Sequence, residues 1–124
     1  MPFSVSEEYQ AVIFAIKGRF LGSIDGAAFK TSLASSLEGG KSQFVIDLSK
    51  ADFMDSSGIG VLIGGLTSTR RAGGDMRLAG MTKRIKNLFL ITKLLGSVFD
   101  DYESVAAALE SYVDNPPSGD GGNT

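Results

Sequence analysis

Asp55, Ser56 and Ser57 follow one another in the chain, and Gly58 and Ile59 come next. A carboxylate beside two hydroxyls can cap a helix, supply a nucleophile or receive a phosphate. Capping needs only a helix that starts here, because Asp and Ser side chains accept hydrogen bonds from the free N–H groups of a first turn. Nucleophilic catalysis needs a base, and the sequence has no histidine. The hydrolase elbow Gly-x-Ser-x-Gly is also absent, since Asp55 stands where Ser57 would require the first glycine. With no cysteine either, thiol nucleophiles, disulfides and zinc–thiolate sites are excluded, and no metal or cofactor site is expected. Phosphate acceptance from another enzyme remains open. A helix N-terminus tolerates a dianion because its N–H groups and dipole favour negative charge.

The elements around this group must hold it at a helix start. Phe44, Val45, Ile46 and Leu48 make a nearly unbroken apolar run, as expected of a parallel strand covered on both faces. After the turn, Ile59, Leu62, Ile63 and Leu66 fall at i, i+3, i+4 and i+7, one face of a helix. That helix is expected to end at Gly73-Gly74, with Arg70 and Arg71 at its negative end. Upstream, residues 3–9 and 11–17 read as an antiparallel hairpin turning at Gln10, and Gly18 is expected to end the second strand. Residues 19–26 then read as a loop, with Ser23 or Asp25 capping a helix that carries Phe29, Leu33 and Leu37 and stops at Gly39-Gly40. Downstream come a short strand at 76–79, a helix capped by Thr82 with Ile85, Leu88 and Phe89 on one face, a strand at Val98–Phe99, and a last helix opened by Asp101. The order β-β-α-β-α-β-α-β-α predicts an α/β fold with helices on a mostly parallel sheet of four to five strands. One domain is expected over residues 1–113, and 114–124, nearly free of apolar side chains, is expected to be a disordered tail.

A formal net charge of −2 offers no broad cationic surface for nucleic-acid phosphates. The first ten residues lack the basic and apolar regions of a signal peptide, and no apolar run approaches the roughly 20 residues that span a bilayer. A cytoplasmic protein is the expectation. Residues 83–95 combine basic and apolar side chains; packing of the apolar face on the sheet is expected over a membrane-surface role. The pairs Gly39-Gly40 and Gly73-Gly74 follow helices and do not fit P-loop spacing.

Val45-Ile46-Asp47-Leu48 followed by Phe53-Met54-Asp55-Ser56-Ser57-Gly58-Ile59-Gly60 resembles the anti-sigma factor antagonists of the STAS domain family, and the likeness extends over residues 3–112. The resemblance implies a single STAS domain that is not an enzyme but a binding module in partner switching. Its partner would be an anti-sigma factor with serine kinase activity, which phosphorylates the second serine of Asp-Ser-Ser-Gly, here Ser57, and thereby loses its hold. A serine phosphatase would restore binding. Asp55, Ser56, Gly58 and Ile59 would frame Ser57 in the partner-binding surface, joined by Leu21, Gly22 and Ser23 from the segment after the second strand. There the family usually carries Gly-x-Leu-Asp, whereas this chain has Gly18-Arg19-Phe20-Leu21, with Leu21 at the aspartate position. Phe20 and Leu21 either pack in the core or offer a more apolar contact. Two alternatives remain: a scaffold or transporter-associated STAS protein without phosphorylation control, and a receiver-like domain phosphorylated on Asp55. The receiver reading needs an acidic pair after the domain's first strand, and residues 17–22 supply Lys17 and Arg19 instead. Ser56 and Thr82 stay open as further phosphorylation sites.

Overall fold

The computed structural model describes residues 3–93 and 98–117. The element order is β1 (Phe3–Glu8), β2 (Ala11–Phe20), α1 (Gly22–Glu38), β3 (Gln43–Met54), α2 (Ser56–Arg71), β4 (Asp75–Ala79), α3 (Lys83–Ile91), β5 (Asp101–Tyr102) and α4 (Val105–Asp114). The strands lie in sequence order in one five-stranded sheet. β1 pairs antiparallel with β2, and every later neighbour is parallel. This is the α/β order that the sequence predicts.

Parallel neighbours need crossover helices, and these pack on one face of the sheet. Phe29 and Leu33 of α1, Leu62 and Leu66 of α2, and Ile85 and Phe89 of α3 share one core with Phe14, Phe44 and Ile46. Phe29 sits at its centre, 4.9 Å from Phe14 and 5.7 Å from Phe20 between ring centroids. Among the described residues only α4 covers the other face, where Ala108 and Tyr112 pack on Ile13, Val45 and Ala79. Within β3 continuous burial is therefore limited to Phe44–Ile46; beyond it the buried Leu48, Ala51 and Met54 are separated by pairs of exposed residues.

Several boundaries differ from the sequence reading. β2 does not stop at Gly18. It bends there with a left-handed φ of +72°, shifts register against β3, and runs on to Phe20. What reads as an eight-residue loop is thus the end of a strand and the first turns of α1. The hairpin turns at Tyr9-Gln10, two residues, with Glu8 opposite Ala11. The last strand is Asp101–Tyr102 instead of Val98–Phe99, because pairing with Leu78 and Ala79 decides its place. Asp101 consequently does not open α4, whose cap is Ser104. α4 runs to Asp114, one residue into the expected tail, and 118–124 lie outside the described residues. No helix among the described residues is long and apolar enough to cross a membrane. In α3 the buried Ile85 and Phe89 face the core while Lys83, Arg84 and Lys86 are exposed; residues 94 and 95 of the basic and apolar stretch lie outside the described residues.

Candidate functional site

β2 and β3 finish in register, with Phe20 opposite Met54. After one intervening residue each strand gives way to a helix, so α1 and α2 start side by side at the same end of the sheet. Leu21 is the residue before α1 and has no side-chain cap; Asp25, in the first turn, reaches back to accept the Leu21 N–H at 2.7 Å. Asp55 caps α2 from an extended backbone, φ −86° and ψ 174°.

The Asp55 carboxylate joins the two starts. Its Oδ1 accepts from the Gly58 N–H at 2.6 Å, from the Ser57 hydroxyl at 3.0 Å and from the Gly22 N–H at 3.1 Å. Two of these partners belong to its own helix, and the third lies 33 residues earlier in the chain. The Gly22 N–H, followed by that of Gly58, holds the Asp55 carboxyl below its usual range; desolvation opposes this and the Ser57 hydroxyl adds to it. At neutral pH the group is an anion with its hydrogen-bonding donors already in place.

Glycine makes the approach possible. A β-carbon at Gly22 would collide with the carbonyl of Ser57 and stand 2.6 Å from its Oγ. At Gly58 a β-carbon would press on the Phe20 carbonyl oxygen. At Gly26, one turn further along α1, it would come within 2.9 Å of Val61.

Of the residues singled out in the sequence, Asp55, Ser57, Gly58 and Gly22 are in direct contact, and Ser23 and Ser56 stand exposed beside them. Leu21 is half-buried, whereas Phe20 is fully buried against Phe29. Ile59 turns inward, 8% exposed, and joins the core. Thr82 caps α3, accepting the Ile85 N–H at 3.3 Å. Gly39-Gly40 and Gly73-Gly74 close α1 and α2 ahead of β3 and β4, at the opposite end of the sheet.

Two apolar groups here are not among the residues that the sequence assigns to the site. Ile24 is exposed in the first turn of α1, and Phe53 is partly exposed beside Arg19, whose guanidinium lies 5.2 Å from the ring centroid. The signal for Ile24 was an isoleucine between Ser23 and Asp25 at a helix start; Arg19 and Phe53 became neighbours only through the register of β2 and β3. Among the described residues no group of three or more Asp, Glu, His or Cys side chains could hold a metal ion. What remains is one exposed hydroxyl, fixed by a carboxylate at a helix N-terminus and ringed by polar and apolar side chains. Such an arrangement suits docking and covalent modification.

The model of the STAS domain matches residues 4–108. The chain is 41% identical over 49 residues to an anti-sigma-B factor antagonist of Listeria monocytogenes, a match that spans 40% of this chain and 43% of that one. Its fold is similar to that of a Thermotoga maritima protein assigned as an anti-sigma factor antagonist, 21% identical with a TM-score of 0.79, over 88% of this chain and 92% of the other. It is also similar to the Bacillus cell fate determinant SpoIIAA in its phosphorylated form, 17% identical with a TM-score of 0.70, over 88% and 97%.

Proposed function

The chain belongs to the STAS domain family, and from that premise we propose that it is an anti-sigma factor antagonist: a binding module, not an enzyme, switched by phosphorylation of Ser57. Its partner is an anti-sigma factor with serine kinase activity, and a serine phosphatase reverses the modification. The docking surface is the end of the sheet where Leu21, Gly22 and Ser23 meet Asp55, Ser56 and Ser57. The observation that carries this reading is the Ser57 hydroxyl itself, exposed, 3.0 Å from Asp55 Oδ1 and backed by Gly22.

The geometry supports Ser57 over Ser56, because Ser57 touches both helix starts. Phosphorylation replaces a hydroxyl that donates to Asp55 with a group of about −1.5 to −2 charge. Carboxylate and phosphate then repel, and the phosphate turns toward solvent, where the partner would sit. The N-terminus of α2 tolerates the charge, so the domain stays folded. At a packed interface an unpaired charge costs several kcal/mol, roughly a thousandfold in affinity.

The test is to incubate the protein with ATP and a lysate of its native cells, followed by intact-mass measurement and peptide mapping. One phosphate on Ser57, absent from Ser57→Ala, supports the switch. Ser57→Asp should then bind the purified kinase far more weakly than the unmodified protein while melting at nearly the same temperature. No phosphate in a lysate of demonstrated serine kinase activity favours a scaffold or transporter-associated role, and an alkali-labile acyl phosphate on Asp55 favours a receiver.

A further inference from the structure

The opposite end of the sheet carries a second surface. Tyr9, 90% exposed, and Val113, 80% exposed, are the most exposed large apolar side chains among the described residues, and they line the same two hollows. The hollows, of about 480 and 360 Å³, adjoin where Tyr9, Leu109 and Val113 border both. Val105, Leu109 and Val113 recur every four residues, so they form one stripe along α4, roughly 12 Å long at 1.5 Å per residue. The neighbouring stripe, Ala108 and Tyr112, is buried on the sheet; Val105 and Leu109 are partly buried against the same cluster and still line the hollow beside the β1–β2 turn, while Val113 is exposed.

Tyr9 is held there against local preference. It occupies the first position of a two-residue turn with φ at 57°, a left-handed conformation usually filled by Gly, Asn or Asp. A tyrosine therefore sits on a disfavoured backbone with its ring in water. Such outliers gather where a residue serves a contact instead of the fold.

The rim supplies the charge. Glu8 and Glu110 border the larger hollow, and neither is in an ion pair among the described residues; nearby Lys41 is taken by Glu7 at 2.8 Å. We propose that this groove docks a partner's basic amphipathic helix, its apolar side chains seated between Tyr9 and the α4 stripe and its Lys or Arg side chains meeting Glu8 and Glu110. The chain's own residues 118–124, SGDGGNT, do not suit it, since they contain no apolar side chain and add a carboxylate. The groove lies at the N-terminal ends of β2 and β3 and Ser57 beyond the C-terminal end of β3, so the two surfaces can be occupied independently.

The experiment titrates the full chain with a labelled synthetic helix of leucine and lysine, and with its leucine and glutamate counterpart, by fluorescence anisotropy and amide-shift mapping. The lysine helix should bind at least tenfold more tightly than the glutamate helix, with shifts centred on residues 8–10 and 105–113. Tyr9→Asn, which suits the turn, and Val113→Ser should each weaken binding at least tenfold without lowering the melting temperature; Ser57→Asp should leave it unchanged. No binding, equal binding of both helices, or shifts centred elsewhere would overturn the proposal. So would a dimer in sedimentation that Tyr9→Asn dissolves, since the groove would then be an interface between copies of this chain.

Discussion

Asp75 and Asp55 stand at opposite ends of the sheet, one opening β4 and the other just past the end of β3. Asp75 is gripped by two arginines, Arg70 Nε and Arg77 Nε, each at 3.0 Å. Arg77, a buried cation, lies 3.9 Å over the Tyr112 ring and donates to Ser111 Oγ and the Asn115 carbonyl, both at 2.8 Å. The Tyr112 hydroxyl lies 2.7 Å from the Phe44 carbonyl and 2.8 Å from that of Asp75. Asp75, Arg77 and Tyr112 thus find their partners within the chain, and the result is a pin that holds α4 to the sheet. Asp55 gathers two backbone N–H groups and one exposed hydroxyl, with no cation among its hydrogen-bond partners. A network closed on itself supports the fold, whereas one that ends in a solvent-facing hydroxyl can be modified. The contrast lies in what completes each carboxylate's hydrogen bonding.

The hardest blow to this contrast is Arg77→Ala. It removes the ion pair with Asp75 and three contacts, to Ser111, Tyr112 and Asn115, and about 3 kcal/mol of stability should be lost in urea unfolding. A loss under about 1 kcal/mol would mean that the network does not hold α4. At the other end, Gly22→Ala drives a β-carbon into the Ser57 carbonyl and should cost roughly 1–3 kcal/mol. Gly60→Ala, where nothing lies within 4 Å, should instead stabilise α2 by about 0.5–1 kcal/mol. Thermal melts that rank the two glycine variants alike would remove the close approach from the account.

pH also separates the two ends. Burial, with Asp75 nearby, pushes the Tyr112 hydroxyl well above its ordinary 10.0. A raised folded value gives a contribution that is complete below about pH 10 and fades as the unfolded chain ionises above it. Tyr112→Phe should cost about 1–2 kcal/mol at neutral pH, and its stability should fall less steeply than that of the wild type above pH 10. Asp55 has the opposite sign. Its folded value lies below 3.8, so its contribution is present above that pH and is lost as pH falls through the folded value. Asp55→Asn should melt lower than wild type at neutral pH, and the gap should close in strong acid. A gap that persists there would show that shape, and not charge, holds Gly22 and Gly58.

Much of the candidate site can be read along the chain, because its strongest signals are local. The change of period between Leu48 and Ile59 marks a strand giving way to a helix, and Asp55 is a cap three residues from the N–H it accepts. The start of α1 has no such local mark. Leu21 brings no capping side chain, and the Gly22 N–H is satisfied by a carboxylate on another helix. The sequence likewise predicts an end of β2 at Gly18, where the glycine bends the strand without ending it. The Asp75–Arg77 pair left a trace, two opposite charges on one face of a short apolar strand, but nothing local pointed to Tyr112.

By itself the sequence determined the element order, the capped start of α2 and the amphipathic faces, since each depends on neighbours within a turn or two, and its composition showed that histidine and cysteine are absent. The tertiary structure decided which residues share an oxygen atom, which face of the sheet α4 covers, and where a two-residue strand settles. Those outcomes depend on register between strands distant in sequence. Matching Phe20 to Met54 brings Gly22 against Ser57, and that match arises only when the sheet forms.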